Sequence, residues 1–449
     1  MEVPSGAFAH TRARLSSGDM DMFRSGKSEL AIAVLAIAFV AALSAQGRQG
    51  EPGAAQGGRG GRGNVQLPDG EGRDTVNATC GGCHGLNMIT GAAGYTQDGW
   101  RDLISTMVLL PESQRSSITQ YLAAHFPPKP GREPKLIPGD VTVTFREWIV
   151  PTLGQRSRDP LQRPDGTIWW NGQFISIVGS LDPRTSEMRE YKLEADARPH
   201  SIVDDAEGNI WYLGNGNGTI GRLVPKTGEI KIFKMPDPAA RDPHTGIFDQ
   251  NGTLFFTLQQ SNMIGRLTPS TGEIKLITLP TPRALPYGIK QDSKGTIWAS
   301  YNGSNKLVSM NPQTMEVREF VLPDPGTRSR RLAITSDDTV WFVNSSLGRL
   351  GRLNPQTGEV KEWPSPSGPQ SHPYAIEVID DIIWYNESGQ RPDALVRFDP
   401  KTEKFQSWAI PSGVGIIRHM RKTPDGNLTI HQTSTNRIGL AIIGKPGRG

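Results

Sequence analysis

From residue 169 to residue 429 the chain repeats a marker at a nearly constant interval: Trp169, Trp211, Phe255, Trp298, Trp341 and Trp384, with Thr429 in the seventh place. The steps run from 42 to 45 residues. A second marker keeps the same beat in "LDPRTSE", "LVPKTGE", "LTPSTGE", "MNPQTME", "LNPQTGE" and "FDPKTEK", with prolines at 183, 225, 269, 312, 355 and 400. A fixed period of this length belongs to a repeat architecture, in which each unit buries its apolar face only against its neighbours. One unit reads as an inner strand at "PHSIV", a turn such as Glu207-Gly208 or Asn251-Gly252, an "IWY" strand and an "IGRL" strand. A Pro-x-Thr-Gly turn and an outer strand such as "EIKIFKMP" complete it. Four strands in about 43 residues, seven times over, describe a seven-bladed β-propeller. The 51 glycines and 35 prolines suit that many turns.

The ends of the repeat array fit each other. The seventh unit stops at "RIGLAIIG" with no outer strand after it, and the first is preceded by a spare strand, "VTFREWIV", residues 143–150. The N-terminal strand is expected to complete blade seven, which closes the ring and leaves no open edge.

The repeat pattern "GxIWFxxxxxNxIGRLxPxTGE" resembles that of the virginiamycin B lyase (streptogramin lyase) family over residues 143–443, best in "HTGIFDQNGTLFFTLQQSNMIGRLTPSTGEIKLITLPTP". The resemblance implies a seven-bladed propeller that opens a cyclic depsipeptide at its ester by elimination, with magnesium. It also implies His and Glu side chains on the last two blades as base and metal ligands. Eleven residues before each aromatic marker stand His200, His244, Tyr287, Arg330 and Arg418, with His419 beside the last; Tyr374 stands ten before Trp384. Just after the "W" pairs come Glu387 in blade six, and His431 and Gln432 in blade seven. The implied catalytic residues are therefore His419 and Glu387. Blade six carries Tyr374 where the family has histidine, and Gln432, a neutral amide, binds magnesium poorly. Equivalent places in a propeller face one central funnel. His200, His244, Tyr287, Arg330, Tyr374 and Arg418 are expected to line it, and a basic, aromatic funnel suits an anionic or sugar-like ligand. His200 and His244 are expected to titrate near neutrality there.

The N-terminal part is of another kind. "CGGCH" holds the only two cysteines, Cys80 and Cys83, followed at once by His84. C-x-x-C-H is the attachment motif of c-type haem: the thiols take the porphyrin and the histidine supplies the proximal nitrogen. A zinc site would need four ligands, and no further cysteine exists to help. Downstream, Trp100, Leu103, Ile104 and Met107 follow helical spacing, as do Ile118, Tyr121, Leu122 and His125. Residues 65–127 thus resemble a small all-α class I cytochrome c domain. Met107 is the expected distal iron ligand, with Met88 as the alternative and His125 behind both.

Arg24 and Lys27 precede the apolar run "LAIAVLAIAFVAAL", and small residues follow it at Ser44 and Ala45. That is the layout of an export signal, with cleavage near Ala45 and a periplasmic destination. Its uncleaved form would anchor the chain. The expected organisation is a signal over 1–45, a Gly/Arg-rich leader over 46–64, the haem domain over 65–127, a Pro-rich linker over 128–140 and the propeller over 141–443. The net charge of +4 lies partly in the leader, which has three arginines against one glutamate, so no nucleic-acid surface is expected. The residues together point to an exported haem protein. It would pass electrons to a redox partner protein, and its propeller would bind a ligand or dock a partner. A depsipeptide lyase, or an oxidoreductase feeding its own haem, would fit the same chain.

Overall fold

The structure, a computed structural model, describes residues 65–82, 85–92, 94–413 and 415–444. The expected export segment and leader lie outside these residues, as do Cys83 and His84.

Seven four-stranded antiparallel sheets follow one another along the chain. Their inner strands are Ser157–Gln162, Pro199–Asp204, Pro243–Phe248, Pro286–Gln291, Ser329–Ile334, Pro373–Ile379 and the short Arg421–Lys422. The propeller expected from the repeats is thus the fold. Strand Val143–Ile149 pairs antiparallel with Arg437–Ile443, from Val143 opposite Ile443 to Ile149 opposite Arg437. The first strand of the propeller is therefore the outer strand of the last blade, as the spare N-terminal strand suggested.

Why the repeat reads "IW" and then "GR" is visible in the packing. The second strand of a blade is buried on both faces, as at Ile210–Gly214 and Val340–Asn344, so it is mostly apolar. Its second aromatic lies over the third strand, facing glycine in blades one, two, three and five and Val396 in blade six. Tyr212 stands opposite Gly221 and Phe342 opposite Gly351, and a Cβ on either glycine would run into the facing ring. Blade four makes the reciprocal choice, with Ala299 opposite Val308. The recurrent tryptophans fill the seams. Trp211 stacks on Phe233 of its own blade at 5.3 Å and meets Phe248 of the next at 5.6 Å. In blade seven, where Thr429 replaces the aromatic, its hydroxyl donates to Pro160 O of blade one at 2.9 Å across the closing seam.

Among the described residues the N-terminal part holds four helices: α1 (Arg73–Gly81), α2 (Asn87–Ala92), α3 (Gln97–Ser105) and α4 (Glu112–His125). Trp100, Leu103, Ile104, Ile118, Tyr121 and Leu122 are buried together with Val76 and Leu67, as the helical spacing requires. Thr96 caps α3 by accepting from Gly99 N at 3.1 Å. The Pro-rich segment that follows is tied to blade six. Ile137 N donates to Ser407 Oγ at 2.9 Å, Lys135 N to Ser367 Oγ at 2.9 Å, and Arg391 N to Arg132 O at 2.7 Å.

Candidate ligand site at the mouth of the propeller

The six funnel positions expected from the count do converge, as one run of contacts. The His200 and His244 rings lie 3.5 Å apart, and His244 lies 4.2 Å from Tyr287. The Tyr287 and Tyr374 hydroxyls share a short hydrogen bond. Arg418 donates to Tyr374 Oη at 3.0 Å, and Arg330 lies over the Tyr374 ring at 4.5 Å. Six blades meet in this run.

Further residues complete it. Arg158, eleven before Trp169 and so the same position in blade one, reaches His200 Nε2 at 2.6 Å and Gln173 Oε1 at 2.6 Å. Asp159 beside it pairs with His419 and contacts Arg331 at 3.4 Å and Arg421 at 3.3 Å. Adjacent residues can both point inward because the inner strands are bulged. Register slips between Arg158 and Leu161, and between Ser329 and Leu332. The counting of residues reaches one channel residue per blade and passes over the second.

The electrostatics divide the channel into two layers. In the lower layer, Asp159 lies among His419, Arg331 and Arg421. Burial opposes its charge, but the hydrogen bond with His419 and the Arg421 and Arg331 guanidinium groups hold its carboxyl well below the usual range. In the upper layer, the half-buried Arg330 and Arg418 and the half-buried Arg156 form no ion pair with a carboxylate among the described residues. The Nε atoms of Arg158, Arg330 and Arg418 are buried without an acceptor. Burial alone would raise the Tyr374 phenol, yet Arg330, Arg418 and Arg158 bring it down to about 6, while Tyr287 is pushed up. The Tyr374 phenol oxygen is the acceptor on which the Arg330 and Arg418 guanidinium groups converge.

The expectation that His200 and His244 titrate near neutrality is corrected here. Burial first, and the Arg158 guanidinium second, hold both well below the ordinary imidazole range. His419 and His431 are held neutral in the same way.

His419 and Glu387 are placed apart. His419 is turned to Asp159, whereas Glu387 is buried and accepts from Ser367 N at 3.0 Å and from its hydroxyl. Burial raises the Glu387 carboxyl, and the Ser367 bonds only partly offset this. His431 Nε2 accepts from Arg418 N at 3.0 Å and His419 N at 3.2 Å, so its lone pair is already taken. These donors do not fit a magnesium site: one carboxylate is engaged by serine, one imidazole by amides, and Gln432 is neutral.

In the helical part, Cys80 stands in the last turn of α1 and packs against the helical core. Met107 lies just past α3, partly buried against that core, and Met88 is 40% exposed. The Trp100 indole N–H is buried without an acceptor among the described residues, and Val108 and Leu109 leave apolar surface uncovered. An apolar group with polar edges suits such surroundings, so the residues present fit haem.

The helical part also touches the propeller. Gly154 N donates to Thr106 O at 3.0 Å, Thr106 Oγ1 reaches Ser434 O at 3.5 Å, and Arg391 lies over Tyr95 at 5.9 Å. Gly154 leads into the first inner strand, while Ser434 and Arg391 lie between second and third strands. In an antiparallel blade all these loops fall at the end where the inner strand begins, which is the end that holds Arg330, Tyr374 and Arg418.

The family model described as virginiamycin B lyase matches residues 140–388. Among solved structures, a streptogramin B lyase superposes with a TM-score of 0.61 at 23% identity, over 67% of this chain and 98% of that one. A catalytically inactive virginiamycin B lyase from Staphylococcus aureus with quinupristin gives 0.60 at 21%, over 68% and 100%. Hydrazine synthase from Kuenenia stuttgartiensis gives 0.55 at 14%, over 66% and 98%. At these identities the likeness is one of fold. No curated protein sequence matches the chain.

Proposed function

The chain belongs to the virginiamycin B lyase family, and from that premise we propose that it is an exported c-type haem protein whose propeller binds an anionic ligand at its mouth. The observation that carries the ligand reading is the upper layer of the channel, where Arg330 and Arg418 converge on one phenol and pair with no carboxylate among the described residues. A guanidinium fork without a partner matches a carboxylate or phosphate oxygen pair. A bound anion would take from Tyr374 the hydrogen bond donated by Arg418 and let the phenol regain its proton.

Cys80, Cys83 and His84 would hold the haem, and Met107 would be a further ligand of its iron. The haem would supply one-electron transfer to or from a redox partner. Cys80 at the end of α1, the unpaired Trp100 N–H and the uncovered Val108 and Leu109 support this placement. The leader arrangement supports export, which c-type attachment accompanies.

The test has two arms. Full-length protein made with c-type maturation should keep its haem through denaturation and acidic organic extraction, and Cys83→Ala should lose it. Acetate titrated into the protein should bind at pH 6, and Arg418→Gln should abolish binding. Extractable haem would remove the first half of the proposal, and absence of anion binding the second. Family membership favours a second reading, a depsipeptide lyase. It requires magnesium-dependent ester opening lost in Glu387→Gln, and the bonding of Glu387 and His431 speaks against it.

A further inference from the structure

One rim of the mouth sets a cation over uncovered apolar surface, and it narrows the ligand. Arg156, at the entry to the inner strand of blade one, has φ of 58°, a left-handed conformation shared by Arg198, Leu285 and His372 at the same place in blades two, four and six. It is held there from both sides. Gln173 N donates to Arg156 O at 3.4 Å, and Phe174 N donates to Gln155 O at 3.0 Å. Buried Gln155 is itself fixed by Trp170 Nε1 at 2.9 Å and Glu190 at 2.8 Å. The result is that the Arg156 guanidinium lies over the Phe174 ring at 4.7 Å. Phe174 and its neighbour Ile175 nevertheless remain 39% and 38% exposed.

One feature of this rim lacks an explanation within the described residues: the apolar side of Phe174 and Ile175 is left uncovered beside a cation. The Arg156 side chain is brought near Arg418 and Arg158, and burial first, then their like charges, depress its ionisation. A cation pressed toward two others, with an uncovered aromatic ring beneath it, is half of a recognition site.

We propose that the mouth recognises an aromatic carboxylate, its two oxygens held by Arg418 and Arg156 and its ring lying against Phe174 and Ile175. This rests on the anion-binding reading of the mouth and adds the ligand's apolar half. A planar ring beside the carboxylate can share the Phe174 face and the Arg156 guanidinium by stacking and cation–π attraction. Inorganic phosphate and acetate satisfy the arginines alone and leave the apolar rim wet. Arginine rather than lysine at these places fits a planar two-oxygen anion.

The experiment uses full-length protein and three probes, benzoate, acetate and benzyl alcohol, titrated calorimetrically at pH 6 with inorganic phosphate as a fourth arm. Benzoate should bind at least about tenfold more tightly than acetate or phosphate, and benzyl alcohol should not bind. Phe174→Ala should weaken benzoate by about fivefold or more and leave acetate unchanged. Phe174 is on the surface, so this variant keeps its fold. Arg156→Gln should weaken both anions. Equal affinity for benzoate and acetate, or an unaltered benzoate affinity in Phe174→Ala, overturns the aromatic assignment while the anion site stands. Tighter binding of phosphate than of benzoate also overturns it. Failure of every anion to bind overturns both.

Discussion

Lowering the pH from 7 to 5 should strip this protein of most of its stability, because its channel holds histidines that cannot take a proton without unfolding. His200, His244, His419 and His431 are buried, and all four are held well below the ordinary imidazole range by burial, with nearby arginines adding to it. Their folded pKa is depressed, so the unfolded chain binds the extra protons. The stability is present above the unfolded value of about 6.5 and is lost as the pH falls below it. Each histidine whose folded pKa lies below 5 costs about 1.4 kcal/mol per pH unit, or about 2 kcal/mol at pH 5. Four together cost roughly 8 kcal/mol, which compares with the whole stability of an ordinary domain, about 5–15 kcal/mol. Urea unfolding followed by tryptophan fluorescence at pH 7, 6 and 5 measures this directly. The slope contributed by these four should approach about 5 kcal/mol per unit near pH 5, and His372, brought down to about 4 by burial and by Arg330 and Arg418, adds about one quarter as much again. Replacing one imidazole by a neutral amide, His244→Gln, should lower the protein's stability at pH 7 but reduce the slope from these four by about one quarter. A slope below that of a single histidine, or one that His244→Gln leaves unchanged, would refute the reasoning. It would mean that the channel admits water and lets these rings charge in the folded state.

Three further outcomes follow from the same geometry. Tyrosinate absorbance should fall as the pH drops through about 6 and be absent in Tyr374→Phe; anion affinity should rise over the same range, because protonating Tyr374 adds one positive charge to the mouth. A pH-independent absorbance up to pH 9 would remove Tyr374 as the counter-ion. In blade five, Phe342→Ala should cost about 3–5 kcal/mol through the cavity it leaves, and Gly351→Val should cost a similar amount through the clash with the ring. The double variant reproduces the Ala299–Val308 pairing of blade four and should recover about half of the summed loss in a thermal or urea melt; strict additivity would show that the two sites do not share one space. Excising residues 143–149 leaves Arg437–Ile443 an open edge, losing roughly five backbone hydrogen bonds of about 1 kcal/mol each. The shortened protein should melt earlier and aggregate, and an unchanged melting temperature would place the closure elsewhere.

The repeats were legible because each blade must solve the same packing problem with the same few residues. In four of the seven blades a flat aromatic in the second strand faces glycine in the third, and the seam between blades takes a large ring in six, so both recur at the period of the fold. The spare strand at 143 and the missing one after 443 were legible for a related reason. A closed ring needs equal numbers of strand edges on its two sides. The mouth residues were legible only in part. His200, His244, Tyr287, Arg330, Tyr374 and Arg418 sit at one place in the repeat, and any interval counted from the aromatic marker reaches them. Arg158 obeys the same interval in blade one. Asp159 and Arg331 do not, because a bulge in the inner strand turns two successive side chains to the same side, and strict alternation is the assumption that a count makes.

What the sequence withholds is which of these charges is already matched. His200 and Arg330 look alike as basic residues in equivalent strands, yet one is neutral beneath an arginine and the other is a cation at the opening. The difference comes from depth. In the lower layer Asp159 collects His419, Arg331 and Arg421, so the charges there close on themselves and hold blades one, five and seven together. In the upper layer Arg156, Arg330 and Arg418 have no such acid among the described residues, and Arg330 and Arg418 converge instead on the Tyr374 phenol oxygen, whose ionisation they favour. A protein interior tolerates that arrangement when something from solvent completes it. The helical part touches the propeller at Gly154, Ser434 and Arg391, at the same end as that opening. The way the chain folds therefore sets the opening of the channel beside the helical part that carries Cys80.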